Sequence, residues 1–261
     1  MNLLRYCAIT FTVLGSCATF AGCSQTSPTR SKETVAAPNK RLASNQAAEI
    51  QVAFGRSLES EGNFEKAMIA YREAVRQSPK RPEAHVRLAI LLDRLGRFAE
   101  ASEHYESALK ADPGNPEIYC DRGYSLCLQG REKEAETALR QAIALKPNLA
   151  RAHNNLGVLL GRAGRTDEAL AEFRKAGSPE ADAHLNLAFA LGQTRRWSEA
   201  QAHVAIARKL GQDRGQVNAD AARLEMLFAK AASTRPAAPD LNSDPAVLTT
   251  GGIVTGDRRR K

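Results

Sequence analysis

This sequence predicts an all-α fold: a superhelical solenoid of five helix-turn-helix units, closed at its C-terminal end by one capping helix. Three observations predict it. Small residues recur at Gly55, Ala89, Gly123, Gly157 and Ala188, spaced by 34 residues three times and then by 31. Other slots keep the same step: Ala67, Ala101, Ala135, Ala169 and Ala200; Ala74, Ala108, Ala142, Ala176 and Ala207; Leu58, Leu92, Leu126, Leu160 and Leu191; and Tyr71, Tyr105, Leu139, Phe173 and Val204. Composition agrees, since Ala and Leu abound, β-branched residues are sparse and aromatics make up only 5%, a mixture that favours helix over sheet.

In chain order, residues 1–22 have the layout of a secretory signal. Arg5 precedes an apolar run from Ala8 to Ala21 broken only by small polar residues, too short to span a bilayer. The segment runs into Phe20-Ala21-Gly22-Cys23, which resembles the bacterial lipobox, with Phe20 standing where that motif usually has an aliphatic residue. The resemblance implies lipidation at Cys23, the acylated Cys becoming the mature N-terminus; its alternative is an ordinary signal peptide cut nearby. More than one acyl chain makes such an anchor durable. The expected location is the bacterial cell envelope, lipid-anchored and facing the periplasm, and Ser24 after the Cys is compatible with sorting to the outer membrane. Residues 23–46 carry almost no large apolar side chains and read as a disordered tether with a reach of roughly 25–30 Å.

Residues 47–214 hold the array, as units 48–81, 82–115, 116–149, 150–180 and 181–214. Each is expected to be two antiparallel helices of about 13 residues, turning at Gly62, Gly96, Gly130 and Gly164, where the chain needs a left-handed residue; Pro79, Pro113 and Pro147 close three units. Gly or Ala at the small slots lets helix backbones approach, and the Leu and Tyr/Phe slots fill the space between them. A single pair cannot hide its apolar face, so neighbours must stack. These slots closely resemble the tetratricopeptide repeat family over roughly two-thirds of the chain. That resemblance implies a right-handed superhelix with a concave inner wall.

Two departures bear on packing. Arg122 takes a slot held elsewhere by Phe54, Leu88, Leu156 and Leu187. The 31-residue step falls at Gly177-Ser178-Pro179, where Gly177 suits a C-terminal cap, Ser178 an N-cap and Pro179 a first helical turn; the second helix of the fourth unit should end early. Residues 215–232, with Val217, Ala221, Leu224, Leu227, Phe228 and Ala231 at helical spacing, read as the capping helix. Residues 233–261 contain three prolines and Gly251-Gly252, end in Arg258-Arg259-Arg260-Lys261, and read as a disordered basic tail.

In the family, the first helices of the units line the groove. Setting aside slots that pack within a pair leaves Val52, Val86, Ile90, Cys120, Tyr124, Val158, Leu185 and Phe189 facing inward, with Asn154, Asn155 and Asn186 beside them and Arg56, Arg87, Arg94 and Arg162 on the rim. Such a stripe suits a protein or peptide partner: apolar surface to cover, amides to meet a peptide backbone and guanidinium groups for carboxylates. Two alternatives stay open, that the capping helix or tail fills part of the groove, or that these residues pack between units. The Lys and Asn set with which some family members clamp a terminal carboxylate does not match.

No catalytic residues, metal ligands or cofactor are expected. No Gly-rich phosphate loop, nucleophile elbow or zinc-binding His-Glu pattern occurs. His85, His153 and His184 share one register slot, which argues for packing. Cys120 and Cys127, seven residues apart on one helix, are separated by roughly 10 Å, too far for a disulfide. The net charge of +8 is dispersed among acidic residues without aromatic interleaving, so neither nucleic acid nor a small-molecule substrate is expected. The function expected is a membrane-tethered repeat scaffold for assembly of an envelope machine, a pilus or secretion system. Alternatives are an adaptor recruiting a cell-wall hydrolase or protease, and the noncatalytic remnant of a repeat-bearing enzyme.

Overall fold

Helix pairing follows from where the chain can and cannot continue a helix. The computed structural model describes residues 40–233, with side chains placed from Ala43. The expected signal segment 1–22, Cys23, the first part of the tether and the tail beyond Ser233 lie outside the described residues. Every element among the described residues is a helix. α1 (Lys40–Ser60) packs on α2 (Phe64–Gln77), α3 (Pro82–Arg94) on α4 (Phe98–Ala111) and α5 (Pro116–Leu128) on α6 (Glu132–Leu145). α7 (Ala150–Arg162) packs on α8 (Thr166–Lys175) and α9 (Glu180–Gln193) on α10 (Trp197–Leu210); α11 (Gly215–Ser233) lies against α9 and α10. Each first helix also touches the next first helix, which makes a continuous inner layer. α1 starts at Lys40, inside the stretch read as tether.

The turns within pairs are left-handed at Gly62, Gly96, Gly130 and Gly164, with φ between 71° and 79°; in the fifth pair Arg195 takes that conformation at φ 61°. Four second helices then open in one way. Arg97, Arg131, Arg165 and Arg196 each stand just before the helix and donate two hydrogen bonds, at 2.5–2.8 Å, to the Glu three residues on. The carboxylates of Glu100, Glu134, Glu168 and Glu199 thus sit in the first turn, where the helix dipole favours negative charge. α8 has 10 residues where the other second helices have 14, the early end expected from the shortened step. Gly177 has φ 87°, but Pro179, not Ser178, caps α9, and no side chain accepts a capping bond there. Ser178 instead donates its backbone N–H to Phe173, completing the glycine-centred stop of α8.

The apolar core divides into two clusters: one runs from Ala48 to Ile118, the other from Cys120 to Phe228. The break falls within α5, at the start of the third unit: Ile118 still packs with the first cluster and the second begins at Cys120, just before Arg122 in the apolar slot. A polar network crosses the same junction. Asp93 accepts from Tyr105 Oη at 2.9 Å and from Ser125 Oγ of the next unit at 2.7 Å, and Gln129 donates to Ser125 at 3.1 Å.

Candidate functional site

The inner wall is built from the first helices, and their mutual contact decides which of its side chains remain open. Counting from the unit starts, the fifth residues are Val52, Val86, Cys120, Asn154 and Leu185. Four of them are closed off at 0–5% exposure and only Val86 is half-buried. This corrects the expectation that Val52, Cys120, Asn154 and Leu185 face a free groove: contacts between successive first helices seal this slot. Asn186, 4% exposed, is closed off with them. The ninth residues differ. Ile90, Tyr124, Val158 and Phe189 are all half-buried, so they form the apolar line that the wall leaves accessible, with Asn155 half-buried beside it. Arg56 occupies the corresponding place in the first unit and is exposed.

Several buried polar atoms along this line lack a partner within the described residues. They include Tyr124 Oη, Asn186 Nδ2 and Arg162 Nε. A buried donor left unsatisfied costs about 1–3 kcal/mol, so these atoms weaken the packing beside the line. Burial pushes the Tyr124 hydroxyl up to about 12, which keeps it a neutral donor across physiological pH. Asn155 Nδ2 reaches only the Cys120 sulfur, at 3.6 Å, a weak acceptor.

Acidic groups that the sequence reading left out share the wall. Arg151 donates to Asp121 at 2.5 Å and to Glu117 at 2.7 Å, and Lys146 reaches Glu117 at 3.3 Å. Burial alone would raise the Glu117 carboxyl, but Arg151 outweighs it and holds the group below the usual range. For Asp121 burial wins and its carboxyl is raised in spite of Arg151. Arg214 holds Asp182 at 2.9 Å. Of the expected rim, Arg94 pairs with Glu59 at 3.2 Å and lies over the Phe64 ring, and Arg162 approaches Glu132 at 3.7 Å. Among the described residues, no ion pair involves Arg56 or Arg87. The register that places Glu117, Arg151 and Asp182 at the second residue of their units was present in the sequence and was the signal available for finding them.

The histidines pair within units. His85 and His104 meet Nδ1 to Nδ1 at 3.0 Å, and His184 and His203 do so at 2.9 Å; His153 meets Glu172 at 2.6 Å. His85 and His153 also contact the carbonyls of Pro79 and Pro147 through Nε2, at 2.9 and 2.8 Å. In the second and fourth units the shared slot therefore ties the loop to the helix that follows. Cys120 and Cys127 are free thiols that burial pushes up to about 12 and about 11, leaving them protonated and unreactive.

Residues 52–116 match a family model described as tetratricopeptide repeat, residues 104–137 match a second of that description, and residues 123–164 match a TPR repeat model. None of the three describes a catalytic family. No curated protein matches the chain. Among solved structures, the MamA protein is 22% identical, with 66% of this chain and 95% of that chain covered at a TM-score of 0.52. PilF of Pseudomonas aeruginosa is 22% identical, covering 72% and 93% at 0.54. YrrB, described as a TPR protein with an unusual peptide-binding site, is 23% identical, covering 75% and 97% at 0.50. These likenesses are likenesses of fold, and they place the helix pairs in a right-handed solenoid.

Proposed function

We propose that the tetratricopeptide repeats of this chain form a scaffold that holds an extended stretch of a partner protein along the inner wall of the third to fifth units, on a body tethered to a bacterial envelope membrane through Cys23. The observation that carries the binding site is the open line of Tyr124, Val158 and Phe189, half-buried, with Asn155 half-buried beside it. A peptide supplies what this line lacks, apolar side chains for the aromatic faces and a backbone carbonyl for the Asn155 amide, which otherwise meets the weak Cys120 acceptor. The peptide-binding site ascribed to YrrB supports the same use of a like fold.

The tether rests on the residue pattern up to Cys23. Among the described residues no helix is long and apolar enough to cross a membrane, so attachment in this reading falls to the acylated cysteine. A repeat scaffold held at an envelope membrane suits the gathering of subunits for a pilus or secretion system.

Replacing Tyr124 and Phe189 together by Ala should weaken partner capture at least tenfold, the range of a central aromatic anchor, with helix content unchanged by circular dichroism; undiminished capture would sink the groove. Subunits of a pilus or secretion channel should co-purify from detergent-solubilised membranes. Murein hydrolases or proteases in their place would move the protein to an adaptor role. Separately, Cys23→Ser should transfer the protein from the membrane to the soluble periplasmic fraction, and retention on membranes would refute lipidation there.

A further inference from the structure

α1 has the pattern of every other first helix but not their covering. At the third residue of each later unit, Ala84, Ile118, Ala152 and Ala183 are 0–3% exposed, and at the seventh, Leu88, Leu156 and Leu187 are 0–1% exposed. The preceding pair buries them. In the first unit the same places hold Ile50 and Phe54, 66% and 56% exposed. Ala43, Ala47 and Ala53, exposed or half-buried, continue this face. α11 covers the far end of the array, whereas among the described residues the near end presents an apolar helix face, where terminal repeats of soluble solenoids generally turn a polar one outward.

We propose that this face is an interface between two copies of the chain, α1 of one packing antiparallel on α1 of the other about a two-fold axis between Ile50 and Gln51. What covers the equivalent face in later units is a helix, and the adjoining segments of this chain are poorly suited to supply one. Residues 24–39 hold Val35 as their one large apolar side chain, between Pro28 and Pro38, and residues 234–261 are cut by Pro236, Pro239, Pro245 and three glycines. The face is also self-complementary. An antiparallel pairing about that axis sets Phe54 of each copy against Ala47 of the other, large against small, with the two Ile50 side chains near the axis. Glu49 and Arg56 lie on one flank of α1, the first with its side chain 70% exposed beside Arg81 and the second exposed. The two-fold brings each Glu49 within one turn of the other copy's Arg56. α1 is roughly 31 Å long, so a single helix pair gives an interface at the small end of the specific range, consistent with a reversible dimer.

The test is sedimentation velocity over a concentration series on the mature chain, residues 23–261, carrying Cys23→Ser, so that neither the signal segment nor acyl chains contribute to association. The expected result is a species of twice the chain mass. Phe54→Asp should return it to one chain mass with helicity unchanged, while Met226→Asp, 73% exposed on α11, should leave it. Ile50→Cys should give a disulfide-linked dimer on mild oxidation, because the two copies of that residue meet near the axis. A single-chain mass at every concentration overturns the proposal, and protection of the α1 face against hydrogen exchange in that monomer would assign the cover to the chain's own segments flanking the helices. Association lost in Met226→Asp but kept in Phe54→Asp overturns it in favour of pairing through α11, and failure of Ile50→Cys to cross-link overturns it as well.

Discussion

Asp93 is 4% exposed, and both of its carboxylate oxygens accept hydrogen bonds, from Tyr105 and Ser125. Burial nevertheless outweighs the hydroxyls and raises its carboxyl from 3.8 to about 6. A carboxyl raised by folding favours the fold in its neutral form. Its contribution is fully present below about pH 4 and is lost as pH rises through about 6, a change on the order of 3 kcal/mol. Asp93→Asn keeps an acceptor for one hydroxyl and offers a donor to the other. We therefore expect the stability of the natural chain relative to Asp93→Asn, from urea denaturation at pH 4.5 and 7.5, to be greater at the lower pH; a difference that does not change with pH would contradict a raised Asp93. The paired histidines pull the other way. Burial foremost lowers His104, His184 and His203, so their contribution is present above about 6.5 and declines as pH falls. Comparison with the Asn variant is what isolates the carboxylate. The sequence also shows why the acid is there. Tyr71 and Tyr105 meet Glu59 and Asp93, whereas Leu139 and Phe173, which lack a hydroxyl, face units with Cys127 and Gly161 at that place.

Two kinds of glycine sit in the first, third and fourth pairs, and they are constrained for different reasons. A Cβ on Gly157 would lie 2.7 Å from Phe173 Cε1, and one on Gly123 would lie 2.7 Å from Leu139 Cγ; these glycines set how near two helices come. Gly130 has no neighbour within 4 Å of such a Cβ but holds φ at 72°, so its constraint is backbone conformation. Gly157→Ala is expected to cost about 1–3 kcal/mol by overpacking and to be partly relieved by Phe173→Leu. Gly130→Ala should cost about 1 kcal/mol, and Gly130→Asn less, because Asn tolerates the left-handed region. Equal losses for Asn and Ala at 130 in chemical denaturation would contradict that division. At this scale most of the fold was legible in the sequence, because pair geometry demands small residues at fixed intervals. The repeated Arg-x-x-Glu openings, from Arg97 to Glu199, were equally readable, yet as exposed pairs screened by solvent they contribute little to stability. What the pattern of a single unit could not show is how far one first helix covers the next. That inter-unit contact closed Val52, Cys120, Asn154 and Leu185 and left the ninth-residue line open.

Stacked repeats hold together only as well as their weakest junction, since each unit touches its neighbours alone. That junction lies between the second and third units. There the core divides into two clusters, and Arg122, half-buried, stands where Leu88, Leu156 and Leu187 seal the other junctions. The Asp93–Ser125 bond crosses the gap, and Ile118 is the one buried α5 side chain in the N-terminal cluster. The chain has one tryptophan, Trp197, whose ring lies 5.5 Å from Phe228 inside the C-terminal cluster. Its fluorescence therefore reports on units three to five, while circular dichroism reports on all the helices. With increasing urea the two signals should not coincide, and the helicity curve should show a second step that the fluorescence lacks. Arg122→Leu would bury apolar surface across the junction, adding about 1–2 kcal/mol and drawing the two transitions together. Coincident curves in the natural chain would mean that the polar junction couples the two halves as firmly as the apolar ones do. The inner wall proposed to bind a partner, from Tyr124 to Phe189, lies wholly within the C-terminal half, and α1 with its uncovered face lies wholly within the other. A weak junction between them lets a partner held by the third to fifth units stabilise that half without ordering the first two. Saturating partner should accordingly shift the Trp197 transition to higher urea and leave the second helicity step in place.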